Sequence, residues 1–186
     1  MLTMMPMAAC DGSNADPILP EQPGQPGNSD GGDEDDSTNP TNPIPGGNGR
    51  YLVLYCSRTG STERMAQQIQ QTLDCDILEV EPQTPYESDY NGMLNRAQEE
   101  LAAIRQGNYP AIKTSVEDFG NYDIVFVGYP IWYGSMATPM QTFLHNHASK
   151  LAGKRIALFA SSGSSGISAS VDEARTLCSG ATFTET

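Results

Sequence analysis

The sequence predicts an α/β fold in which a doubly wound parallel sheet carries helices on both faces. Three observations carry that prediction. Short, continuous apolar runs occur at Tyr51–Cys56, Ile124–Val127 and Ile156–Ala160; stretches of helical period lie between them; and each run ends in a loop of unusual composition. Unbroken apolar runs are how strands read when helices cover the sheet front and back.

The elements follow in chain order. Tyr51-Leu-Val-Leu-Tyr-Cys56 is the first strand, and Met65, Ile69 and Leu73, spaced four apart, mark a helix after it. Asp76–Val80 is a weaker strand. Tyr90, Met93, Leu94, Ala97, Leu101 and Ile104 then follow helical spacing up to the Ile124 strand. Met136, Met140, Phe143 and Leu144 repeat that spacing before the Ile156 strand. Ile167, Val171, Ala174 and Cys178 suggest one more helix ahead of a last strand near Ala181–Thr184.

Charge divides the chain of 186 residues into a tail and one module. Asp and Glu number 23 against 10 Lys and Arg, a formal net charge of −13, which disfavours a nucleic-acid partner held by phosphate neutralisation. Eight of the acids and none of the bases precede Arg50, so residues 50–186 carry about −5, an ordinary soluble balance. Residues 11–49 hold seven prolines among Gly, Asp, Ser and Asn, with Ile18, Leu19 and Ile44 as the large aliphatic residues. Such a segment cannot repay ordering entropy and reads as a disordered acidic linker reaching roughly 35 Å.

Residues 1–10 end in Met7-Ala8-Ala9-Cys10, which resembles the lipobox closing a bacterial lipoprotein signal peptide. The resemblance implies a remnant of a longer signal, a lipid on Cys10 and an extracytoplasmic, membrane-anchored protein, the lipid being its membrane contact. The alternative is an unmodified N-terminus and a cytoplasmic protein. Cys56, Cys75 and Cys178 show no CxxC spacing, which argues against zinc; Cys56 reads as a small core hydrophobe, and a Cys75–Cys178 bridge is left open. His145 and His147, two apart at a predicted helix end, read as a solvated terminus rather than metal ligands. No metal site is expected.

In open α/β sheets ligands sit at the carboxyl ends of the strands, so the three loops are the candidate site. The first, Ser57, Arg58, Thr59, Gly60, Ser61 and Thr62, runs into a helix. Hydroxyls, a glycine and a helix N-terminus suit a phosphate, while the lysine of GxxxxGK[ST] and the glycines of GxGxxG are missing. A Ser/Thr-rich capping turn is the alternative. The second loop, Gly128 to Gly134, carries the single tryptophan, Trp132, at a position expected to be exposed and flanked by Tyr129 and Tyr133 for stacking on a planar ring. An aromatic plug over the sheet edge is its alternative. The third, Ser161, Ser162, Gly163, Ser164, Ser165 and Gly166, offers small polar groups for the edge of a heterocycle, or only a flexible turn; it has no GxSxG elbow. Phosphate donors, an aromatic plate and a polar edge on one rim fit FMN.

Residues 50–186 resemble the flavodoxins, specifically short bacterial members with an SRTGxT phosphate loop and a PIWxG aromatic loop. The resemblance implies strand order 2-1-3-4-5, with a short last strand and no closing helix in this chain. It also implies that Ser57–Thr62 hold the FMN phosphate, that Pro130, Ile131, Trp132, Tyr133 and Gly134 pack on the flavin, and that Ser161–Gly166 border its polar edge. No residue need be catalytic, because the flavin carries the chemistry. The implied function is electron transfer to a redox partner protein or a small quinone-like acceptor. An FMN-dependent NAD(P)H quinone-type reductase and a flavin-free binding module remain alternatives, and a second copy is one way to complete the sheet.

Overall fold

The computed structural model describes residues 50–184, so Cys10 and the expectations for residues 1–49 lie outside the described residues. The first strand is β1, Tyr51–Tyr55, followed by α1, Ser61–Leu73, β2, Asp76–Glu79, and α2, Tyr90–Ile104. Next come β3, Ile124–Trp132, the two-residue β4, Ser135–Met136, and α3, Thr138–His147. Then follow β5, Arg155–Ser161, α4, Ser168–Leu177, and β6, Thr182–Phe183.

The sheet runs β2-β1-β3-β5-β6 with every neighbour parallel. This is the expected 2-1-3-4-5 order, because β4 pairs antiparallel with the end of β3 and adds no strand to the main path. Val53 stands level with Ile77 on one side and Phe126 on the other, and Val127 with Leu158. Alternate residues then serve opposite faces. Leu52, Leu54, Val125, Val127 and Ile156 meet Met140, Phe143, Leu144 and Ala174 on the face covered by α2, α3 and α4. Val53 and Tyr55 meet Ala66 and Cys75 in a smaller cluster under α1.

Several side chains depart from the sequence reading. Met65 is 39% exposed; the buried stripe of α1 is Thr62 and Ala66, with Ile69 and Leu73 packed beside them. Tyr90 is 63% exposed, and Met93, Ala97 and Leu101 bury the inner face of α2. Met136 belongs to β4 rather than to a helix. Cys56, Cys75 and Cys178 are all buried and free, and Cys75 and Cys178 sit in different clusters, which removes the bridge. Burial pushes the Cys178 thiol up to about 11, away from reactivity. His147 is buried rather than solvated, and His145 stacks on Tyr109 at 3.8 Å and 9°.

Residues 80–89 form a strap between β2 and α2. Lys113 N–H donates to the Glu81 carbonyl, and the Thr114 hydroxyl donates to the Glu79 carbonyl while accepting from Glu81 N–H. Val116 and Phe119, from the irregular segment before β3, are fully buried and close the core beneath it. Among the described residues no helix is long and apolar enough to cross a membrane.

Candidate functional site

Parallel packing puts the carboxyl ends of β1, β3 and β5 side by side, and a cleft of about 550 Å3 opens over them. It brings together Ser57, Arg58, Thr59, Ser61 and Thr62 from the first loop. Pro130, Ile131, Trp132 and Tyr133 come from the second, and Ser161, Ser162 and Gly163 from the third. Ser164 and Gly166 do not line it, and neither do Gly60 and Gly134, which act through the backbone.

Gly60 is the N-cap of α1 with φ 78°, a left-handed conformation glycine adopts without penalty. No side chain caps this helix, so its first amides face the loop with their acceptor positions unfilled. The Thr62 hydroxyl is not a cap either; it bonds the Ser161 hydroxyl at 2.8 Å and ties the first loop to the third. Ser57 Oγ is buried without a hydrogen-bond partner. Uncapped amides, the positive end of a helix and an orphaned hydroxyl together fit an anionic group held close to the backbone.

Arg58 is directed elsewhere than the sequence suggests. Its guanidinium donates to the carbonyls of Glu87, Ser88 and Asp89 at 3.3, 3.0 and 3.2 Å, clasping the strap to the β1 loop. It borders the cleft with those bonds already made. Arg96 holds the strap from α2, donating to the carbonyls of Pro85 and Thr84.

The second loop is a hairpin rather than a free loop. β3 continues through Trp132, and Tyr133 and Gly134 turn the chain into β4 with φ of 52° and 80°. Positive φ at both central residues is the turn that matches strand twist. The hairpin is pinned below, where Met136 N–H donates to Glu173 and Gln141 donates to the Met136 carbonyl.

This hairpin corrects the expected exposure of Trp132. The indole is 9% exposed and meets Tyr86 edge-on, centroids 5.0 Å apart at 77°. Tyr86 is fixed in turn, its phenol bonded to Glu100 and Thr138 and its ring under the Arg96 guanidinium at 4.1 Å. Burial and the Glu100 bond hold that phenol protonated far above its usual range. Tyr129 is buried against Ser170 and does not face the cleft. The exposed aromatic of the hairpin is Tyr133, at 54%.

Sequence reasoning missed Tyr90, Met93 and Leu94, which line the cleft from α2. Tyr90, a large residue at the head of an otherwise apolar stripe, was the available signal. It also missed the strap, whose contacts are mainly to backbone carbonyls and leave no residue-type signature. Among the described residues no group of three or more His, Cys, Asp or Glu could hold a metal ion.

A family model described as flavodoxin matches residues 50–186. A Bacteroides eggerthii protein assigned as a flavoprotein is 34% identical, with 73% of this chain and 85% of that chain covered and a TM-score of 0.65. A Lactobacillus acidophilus flavoprotein solved in complex with FMN is 28% identical, covering 72% of this chain and 89% of that one, with a TM-score of 0.62. A Bacteroides uniformis protein, also assigned as a flavoprotein, is 29% identical, covering 75% and 87%, with a TM-score of 0.63. No protein of curated function matches the chain.

Proposed function

The chain belongs to the flavodoxin family, and on that premise we propose that it binds FMN in the cleft and serves as an electron-transfer protein. The carrying observation is the anion cradle at the start of α1, where uncapped amides and the orphaned Ser57 hydroxyl meet the Thr62–Ser161 bond. Those groups suit the phosphate of FMN, the ligand of the Lactobacillus acidophilus relative.

When bound, FMN supplies one- and two-electron redox chemistry. The residues of this chain bind and orient it. Ser57, Thr59, Ser61 and Thr62 are the donors for the phosphate, with Gly60 bringing the backbone close. Pro130, Ile131 and Trp132 supply a rigid wall, Tyr133 an exposed ring, and Ser161, Ser162 and Gly163 the polar edge. No side chain is needed as a general acid or base.

The negative balance of the whole chain, −13, favours encounter with a basic redox partner and disfavours added negative charge at the site. Met7-Ala8-Ala9-Cys10 supports a lipid tether on Cys10 and an extracytoplasmic location, with the acidic linker between lipid and domain. The visible absorption of the full chain, before and after adding FMN and removing the excess by gel filtration, tests the reading. A retained and perturbed flavin band is expected; a folded protein that stays colourless overturns it.

A further inference from the structure

A second cavity, of about 270 Å3, lies beside the cleft on the β2 side of the β1 end. Ser57, Arg58, Pro130 and Trp132 line both spaces and form the wall between them. Val80, Pro82, Pro85 and Tyr86 of the strap enclose the second cavity with Pro139 of α3. Four prolines and two aromatic rings give it flat apolar walls, and rings with fixed φ make those walls rigid.

Its cations are already paired. The Arg58 guanidinium is taken by the three strap carbonyls, and Lys113 pairs with Glu81 at 3.1 Å. Glu79, also at this cavity, bonds the Tyr55 phenol; burial first, then the Glu81 and Glu63 carboxylates, shift it toward its neutral form. An ionic guest would meet no unpaired cation here and would trade its hydration for apolar walls. A neutral guest carries no charge to desolvate and packs on the proline and aromatic walls.

We propose that this cavity binds an uncharged, flat, one-ring molecule of the quinone class, placed against the opposite side of the Trp132 wall from the cleft. The proposal rests on the FMN reading for its purpose, that of an acceptor seated next to the flavin, and on the cavity alone for its chemistry.

The test uses the full chain with and without FMN, and tetramethyl-1,4-benzoquinone, whose methylated ring cannot add thiols. Quenching of the single tryptophan reports occupancy. Pro85→Phe narrows the mouth at an exposed position, and Val80→Leu fills the floor. Saturable quenching in the parent, weakened about tenfold or more in either folded variant with FMN affinity unchanged, is the expected result. Quenching that rises linearly without saturation overturns the proposal, as do folded variants that bind the quinone like the parent. Displacement of FMN by the quinone also overturns it, by placing the ring in the cleft. Flavin absorbance on the same samples reads the FMN site separately, so saturable quinone binding without flavin binding sinks the flavin reading and upholds the cavity.

Discussion

Thr62 Oγ1 and Ser161 Oγ lie 2.8 Å apart, joining the first turn of α1 to the end of β5 across 99 residues of sequence. The bond holds two of the three loops at a fixed separation before any ligand arrives, which is preorganisation in the sense that binding need not order them. Thr62→Val keeps the shape and removes the hydroxyl. It should weaken FMN binding by about 1–3 kcal/mol, through a lost donor and an unpaired Ser161. A fluorescence titration of FMN checks this, and Thr62→Val combined with Ser161→Ala should cost less than the sum of the two. Strict additivity would show that the two hydroxyls act independently.

Trp132 tests whether the hairpin is a wall or a surface plate. With 9% exposure and an edge contact to Tyr86, the indole is a core residue that also borders the cleft. Trp132→Ala should therefore destabilise the folded protein by about 3–5 kcal/mol, read from urea unfolding without flavin. A change within about 0.5 kcal/mol would mean the ring is a surface group.

The turn at Tyr133 and Gly134 separates conformational strain from packing. A Cβ on Gly134 would meet nothing within 4 Å, so Gly134→Ala is penalised by its φ of 80° alone, at about 1 kcal/mol. Tyr133 holds φ 52° with a phenol bonded only weakly, to the Leu94 carbonyl at 3.4 Å. Tyr133→Asn should relieve about 1 kcal/mol, because Asn tolerates this region. Opposite shifts of the two urea midpoints are expected; shifts of one sign would show that side-chain contacts rule the turn.

The strands were legible because Leu52-Val-Leu54, Val125-Phe-Val127 and Ile156-Ala-Leu158 carry the pattern of a sheet covered twice. Their order makes the rim, so the cleft was legible too. Periodicity misled in α1, where Met65 and Ala66 are neighbours and the larger residue faces water, because a small residue lets the helix approach the sheet. Trp132 misled for another reason. Its cover, Tyr86, lies 46 residues earlier in a segment without period, and Arg58 finds its acceptors among carbonyls 29–31 residues away. Contacts between a side chain and a distant backbone leave no pattern for a sequence to display.

His147 sets a limit on stability in acid. Its Nδ1 faces the Phe143 carbonyl at 2.8 Å, so Nδ1 carries the proton and Nε2 accepts from Val116 N–H at 3.2 Å. A second proton on Nε2 would oppose that N–H. Burial first, with Lys150 adding to it, lowers the ring below its ordinary 6.5, although the Phe143 carbonyl and Glu117 pull the other way. The unfolded chain thus binds more protons than the folded one as pH falls below about 6.5, and stability, fully present above that value, is lost toward the lower folded one. Glu79, raised in the folded protein by burial, works in the opposite sense from 4.5 upward, so a variant must isolate the histidine. The urea midpoint of the parent should fall between pH 7 and pH 5.5 by more than that of His147→Gln, whose amide can serve both backbone partners without titrating. Equal falls in the two proteins would assign the acid loss to other groups and free α3 of this role.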